Sequence, residues 1–221
     1  MDLRFTADEI AFRDHVRGVL TAEVPAAIRK KVGEGRHLDK AEMVTAHKVM
    51  HKHGWATPHW PREWGGSDLD PVKLHILSEE KQACSLPQPL PFNVGMCGPV
   101  VIAFGTEAQK KKYLPRMAAL DDWWCQGFSE PGAGSDLASL KTTAVRQGDH
   151  YIVNGQKTWT TLAQHADWIF CLCRTDPAAK KQLGISFILI DMKTPGITVR
   201  PIVTIDGGRE VNEVFFDDVK V

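Results

Sequence analysis

The chain has 221 residues, 43% of them apolar and 24% charged, which fits a globular protein of one or two domains and excludes a disordered or fibrous one. Lys plus Arg and Asp plus Glu number 27 each, so no net field draws the chain to nucleic acid or to an anionic membrane. No apolar run approaches the ~18 residues of a bilayer span, and Met1 leads into charged residues rather than a secretory core, so the expected compartment is the cytoplasm.

The front half reads as helices. Thr6 with Glu9 three residues on is a capping box, and it predicts a helix starting near Ala7 with Phe12, Val16, Val19 and Leu20 on one face. A second helix is expected from Asp39 to His53, ended by a left-handed Gly54. His59 to Gly66, with Pro61 and two glycines, breaks regular structure, and Asp70-Pro71 opens another helix lasting to about Cys84. Leu86 to Pro91 is too rich in proline for a helix and reads as an extended linker. Val100 to Phe104 is apolar all round, as at the end of a fully buried helix, and Gly105 stops it. Thr106 to Gln109 is a further capping box, opening a helix with a basic side at Lys110, Lys111 and Lys112.

From about Trp123 the pattern changes to strands at Leu140 to Gln147, Tyr151 to Val153, Trp168 to Arg174, Ile185 to Asp191, Ile197 to Pro201 and Val214 to Asp217. Gly148-Asp149 and Asn154-Gly155 carry hairpin turn signals. Ile185 to Ile190 is apolar on both faces, which points to a barrel or sandwich with both sides covered. The expected architecture is α+β: an all-helical domain over residues 1–122, then an antiparallel β-barrel domain over 123–221.

Chemistry is concentrated in two stretches. In Ser129 to Asp136, Gly132 and Gly134 could turn successive N–H groups toward one anion, although spacing alone favours an ordinary polar turn. Gln156 to Thr161 sets Trp159 beside Thr160 and Thr161, a ring and hydroxyls that suit a planar heterocycle or simply a core strand. His47 and His51 are one helical turn apart with His53 nearby, but without a third ligand they predict no metal site. Cys84, Cys97, Cys125, Cys171 and Cys173 are odd in number, form no zinc pattern and read as buried thiols; Cys171 and Cys173 are expected in a core rather than in a redox pair.

Taken together, in this order, Gln126 to Asp136 and Asn154 to Thr161 resemble the flavin signature of acyl-CoA dehydrogenases. Supporting resemblance lies in Pro61-x-x-Trp64-Gly65-Gly66, in Gly105-Thr106-x-x-Gln109-Lys110 leading to Tyr113-Leu114-Pro115, and in Phe216 to Val221. His59-Trp60 and Leu86 to Phe92 look closer to pimeloyl-CoA dehydrogenase large subunits, and to bacterial relatives acting on branched or steroid side chains, than to short-chain enzymes.

The resemblance implies an FAD-dependent oxidoreductase that converts an acyl-CoA to its 2-enoyl form, with an electron-transfer flavoprotein as acceptor and a homo- or hetero-oligomeric assembly. Carried over residue by residue, Gln126, Phe128 and Ser129 would contact the isoalloxazine, and Gly134 and Ser135 the pyrophosphate. Trp159 would pack on the flavin with Thr160 beside it and Thr161 near its N5 edge, while Ser135 and Thr175 would touch the acyl-CoA. The family's catalytic base belongs to a helical bundle after the β-domain; the sequence given ends at Val221, so no catalytic residue is assigned, and Glu130 is expected to be structural. Two other readings use the same scaffold: a non-catalytic subunit of a hetero-oligomeric dehydrogenase, and a flavin monooxygenase or nitroalkane oxidase.

Overall fold

Reciprocal capping decides where three of the helices begin. A computed structural model describes residues 4–221; the start of the chain at Met1 lies outside them. α1 (Ala7–Glu23), α3 (Lys40–Lys52) and α6 (Glu107–Ala119) each open on a complete capping box, formed by Thr6 with Glu9, Asp39 with Glu42 and Thr106 with Gln109. α4 (Pro71–Ala83) starts under the Asp70 side chain with Pro71 in its first turn, where a missing N–H costs nothing. α2 (Ala26–Gly33) follows Pro25, and α5 is Gly98–Phe104. Among the described residues no helix is long and apolar enough to cross a membrane.

The chain divides into two units at Asp121 and Asp122. In the helical unit Val16, Leu20 and Val24 of α1 and its end meet Ile28, Ala46, Met50, Leu77, Trp55 and Leu86 in one core. Full burial stabilises each large aliphatic side chain by about 1.5–3 kcal/mol. Residues 92–97 form a wide π-helical turn, whose Val94 carbonyl accepts the Trp60 indole N–H at 2.8 Å. The expectation of a fully buried helix end at Val100 to Phe104 is corrected: only Gly98 and Val101 of α5 are buried, and Phe104 is 85% exposed. Apolar composition does not separate a core face from an uncovered one.

The second unit is a seven-stranded sheet: β1 (Trp124–Gly127), β2 (Thr143–Gln147), β3 (His150–Thr161), β4 (Trp168–Arg174), β5 (Ile185–Asp191), β6 (Ile197–Ile202) and β7 (Val211–Lys220). Four ladders are antiparallel: β2 with β3, β3 with β7, β4 with β5 and β6 with β7. β4 carries β5 along one edge, while β1 and then β2 lie end to end along the other, both parallel to it. The sheet is therefore mixed where an antiparallel one was expected. Some forty residues of chain separate β1 from β4, so no hairpin dictates their direction. The core on this sheet includes Cys125, Ala144, Val153, Ile169, Cys171, Cys173, Ile190, Val214, Phe216 and Val219.

Three strand expectations change. Asn154-Gly155 is not a hairpin turn but lies inside β3, at a register shift against β7, with Gly155 at φ +147°. The Asn154 side chain closes the irregularity by donating to Asp218 Oδ1 and accepting the Asp218 backbone N–H, each at 2.9 Å. β2 starts at Thr143 rather than Leu140, because the N–H groups of Lys141 and Thr142 are taken by the Glu130 carboxylate instead of a ladder. β5 is mostly half-buried, with only Ile190 in the core, since it pairs on one edge alone.

Candidate functional site

Glu130 and Lys157 stitch the two signature stretches together. Lys157, on β3, is completely buried, and its ammonium donates to Glu130 Oε1 at 2.8 Å and to the Phe128 carbonyl at 3.1 Å. Glu130 also accepts the backbone N–H of Lys141 at 2.6 Å and of Thr142 at 2.9 Å. Burial pulls this carboxyl upward, but the hydrogen bonds from Lys157, Thr142 and Lys141 outweigh it and hold Glu130 below the ordinary carboxylate value. Thr158 N–H donates to the Ser129 carbonyl at 2.9 Å, so Phe128 and Ser129 run beside Lys157 and Thr158. Gln126, at the end of β1, is half-buried and pairs with Phe170 in register, while the Phe128 ring meets Phe170 edge-on.

One residue further along β3 the ladder slips. Between Lys157 and Thr160 the register against β7 shifts, and Trp159 takes a left-handed backbone at φ +57° with 62% of its surface exposed. For a bulky aromatic residue this conformation costs about 1–2 kcal/mol. Thr160 is buried, and its hydroxyl has no hydrogen-bond partner among the described residues; Thr161 is half-buried. Gln126, Phe128, Ser129, Trp159, Thr160 and Thr161 thus form one neighbourhood.

Gly134, Ser135 and Thr175 belong to a second. Glu130 to Ala133 is a tight turn, closed by two backbone hydrogen bonds of 2.9 and 3.1 Å with Pro131 at its corner. Neither Gly132 nor Gly134 has a positive φ, so the anion nest anticipated from the two glycines is not built by left-handed backbone. A Cβ at either position would meet nothing within 4 Å. Gly134 and Ser135 are exposed, and Asp136 bonds the Ser139 hydroxyl. Thr175 Oγ1 lies 2.7 Å from Ser186 Oγ. Arg174 donates to the Ala138 and Leu140 carbonyls, and Lys181 to Ser139, which ties the Thr175 segment to residues 136–140. A cleft of about 470 Å³ lies there, lined by Ser139, Lys141, Arg174 and Lys181 among others.

The residues outside these neighbourhoods have structural duties. His47 is buried, with Nε2 2.8 Å from the Ala118 carbonyl, and burial pushes its pKa down to about 4. Among the described residues no three His, Cys, Asp or Glu side chains group to hold a metal ion. All five cysteines are free and buried, with Cys171 and Cys173 sulfurs 3.6 Å apart. Sequence reasoning missed Asn212, which reaches Thr160 from β7; no motif marks it, because its partner is fifty residues away.

The "Acyl-CoA dehydrogenase, N-terminal domain" model matches residues 6–121, and the "Acyl-CoA dehydrogenase, middle domain" model matches 125–219. Among curated relatives, acyl-CoA dehydrogenase IpdE1 of Mycobacterium tuberculosis is 41% identical over 95% of this chain and 56% of its own length. Acyl-CoA dehydrogenase FadE29 of the same organism is 46% identical over 73% of this chain and 42% of its own. Of solved structures, "Tcur3481-Tcur3483 steroid ACAD" superposes with a TM-score of 0.85 at 38% identity, covering 100% of this chain and 57% of that one. The ChsE4-ChsE5 complex from Mycobacterium tuberculosis gives 0.84 at 33% identity, covering 100% and 56%. The chain thus spans about half the length of these relatives.

Proposed function

The chain belongs to the acyl-CoA dehydrogenase family, and from that premise we propose that it supplies the flavin-facing part of an FAD-dependent enzyme converting an acyl-CoA thioester to its 2-enoyl form, with electrons passing on to an electron-transfer flavoprotein. The observation that carries this reading is Trp159, a large aromatic residue held in a strained left-handed conformation and presented outward by a slip in the ladder. Strain of this kind persists where the surrounding fold imposes it, and an exposed indole gains most by stacking on a flat ring.

The other residues fit the group. The buried Thr160 hydroxyl lacks a partner among the described residues, and a Cβ at Gly132 or Gly134 would meet nothing within 4 Å among them, which leaves the backbone there open to close approach by a ligand. Bound FAD would accept the hydride leaving the β-carbon. This chain's own part would be to orient the cofactor: Trp159 would pack on the isoalloxazine with Thr160 beside it and Thr161 near its N5 edge, Gln126, Phe128 and Ser129 would contact the same ring system, and Gly134 and Ser135 would hold the pyrophosphate. Ser135 and Thr175 contact the acyl-CoA, and the positive side chains of Lys141 and Lys181 at the neighbouring cleft suit its phosphates. No catalytic base is assigned in this chain. Glu130 is unsuited to the role, because its carboxylate is buried and bound to Lys157 and two backbone N–H groups.

A second reading is favoured by the likeness to the two-component Tcur3481-Tcur3483 steroid ACAD and to the ChsE4-ChsE5 complex: the chain works as one subunit of a hetero-oligomer, whose partner completes the site. The test is to purify the protein with whatever chains accompany it, record the flavin spectrum and add acyl-CoAs anaerobically. A yellow protein that bleaches supports dehydrogenation, and Trp159→Ala should weaken FAD binding about tenfold or more, the ~1.4 kcal/mol expected of a stacked aromatic pair. A protein that takes up FAD yet is never reduced by an acyl-CoA would sink the dehydrogenase reading.

A further inference from the structure

Trp159 does not hold its own conformation. Directly beneath it, Thr160 pairs in register with Asn212 of β7, at the point where the ladder resumes after its slip. Asn212 is fully buried, and its side-chain amide spends both hydrogens locally: Nδ2 donates to the Thr160 carbonyl at 3.0 Å and to Gln164 Oε1 at 2.6 Å. Gln164 in turn donates from Nε2 to the Arg209 carbonyl at 2.9 Å, and Leu162 N–H reaches the Glu210 carbonyl at 2.6 Å. The bulge is therefore clamped after Trp159 by a relay running from the Thr160 carbonyl through Asn212 and Gln164 to the segment before β7. Before Trp159 it is clamped by Thr158 on Ser129. Between two fixed ends the intervening residue has little freedom, and the left-handed well is where it sits.

We infer that Asn212 is a positioning residue: its buried carboxamide, oriented by Gln164, locks the Thr160 carbonyl and so keeps Trp159 turned outward in a conformation that a free chain would leave. The effect on flavin rests on the cofactor reading above. The effect on the backbone does not. Aspartate in this place has the same shape and size but offers an acceptor to an acceptor carbonyl, so the clamp depends on the amide hydrogens and not on volume.

The test uses the holoprotein in four forms: unsubstituted, Asn212→Ala, Trp159→Ala and the double variant, with Asn212→Asp as an isosteric second probe and circular dichroism to confirm that each folds. Hydrogen exchange is followed in peptides spanning residues 157–164, and FAD affinity is titrated in parallel. The expected result is faster exchange confined to that segment in both Asn212 variants and FAD binding weakened about tenfold, the scale of one lost hydrogen bond. In the Trp159→Ala background the Asn212→Ala change should then cost clearly less flavin affinity, because most of its effect passes through the indole. Unchanged exchange in 157–164, or the same loss of FAD affinity with and without Trp159, overturns the inference. If the unsubstituted protein takes up no FAD, the cofactor reading fails instead, and exchange at 157–164 alone decides whether Asn212 holds the bulge.

Discussion

Two acid–base pairs, one in each unit, bury a glutamate and treat its cation differently. In the helical unit Arg17 grips Glu80 through two hydrogen bonds of 2.8 and 2.7 Å, while 52% of the Arg17 side chain stays exposed. In the sheet unit the Lys157 side chain has no exposure at all, and its ammonium is met by Glu130 and the Phe128 carbonyl. A half-hydrated guanidinium can exchange its partner for water, so the first pair is a clip between α1 and α4. A wholly dry ammonium has nothing to fall back on, and the second pair is a fixed part of the sheet. Trp159 is two residues from Lys157 and shows the opposite economy, since its ring is left to whatever lies outside the chain.

Breaking each pair at its cation puts this difference to the largest test. Lys157→Met leaves Glu130 buried without its counter-charge and should cost about 3–5 kcal/mol in chemical denaturation. Arg17→Met should cost clearly less, because water reaches the vacated side of Glu80. Equal losses would show that exposure of the cation does not decide what a pair contributes.

Acid sharpens the comparison by titrating instead of cutting. His47 titrates near 4 in the folded protein against an ordinary 6.5, owing first to burial. The unfolded chain therefore takes up the proton first, and stability is complete above pH 6.5 and lost as pH falls toward 4. The loss should reach about 3 kcal/mol, at roughly 1.4 kcal/mol per unit. Glu130, held below its ordinary value, adds its own loss as pH falls through its folded value. A His47→Gln variant should lack the first part of this acid dependence; an unchanged profile between pH 6.5 and 4 would remove His47 from the account.

The smallest expected effect concerns a cap. Thr106→Ala removes the acceptor for the Gln109 N–H at the start of α6 and should lower stability by about 1 kcal/mol, with no change in flavin spectrum. An unchanged midpoint in chemical denaturation would show that this capping box does not hold the first turn of α6.

Helix starts at Ala7, Pro71 and Glu107 were legible because capping is local: the donor and acceptor are three residues apart, so the sequence contains the whole interaction. β4 and β5 were legible with both their ends, Trp168–Arg174 and Ile185–Asp191, since runs so rich in apolar residues mark themselves. The two signature stretches were legible as a family resemblance but not as geometry. Asn154-Gly155 carries the letters of a hairpin turn, and only its pairing with Asp218, far along the chain, makes it a bulge. The truncated start of β2 and the exposure of Phe104 were equally hidden, one set by a distant carboxylate and the other by the absence of a covering face within the unit.

By itself the sequence determined a helical front half followed by strands, the resemblance to the family, and which side chains carry aromatic, hydroxyl and glycine chemistry; it missed α2 and β1, short elements without a capping box or a long apolar run. Only the tertiary structure decided that Glu130 and Lys157 neutralise each other inside the sheet, that β1 and β2 run parallel to β4, and that Trp159 faces outward. The physical reason is separation along the chain. A cap or an apolar run is complete within a few residues, whereas a buried charge, a strand neighbour and a slipped register are settled by partners that folding alone brings near.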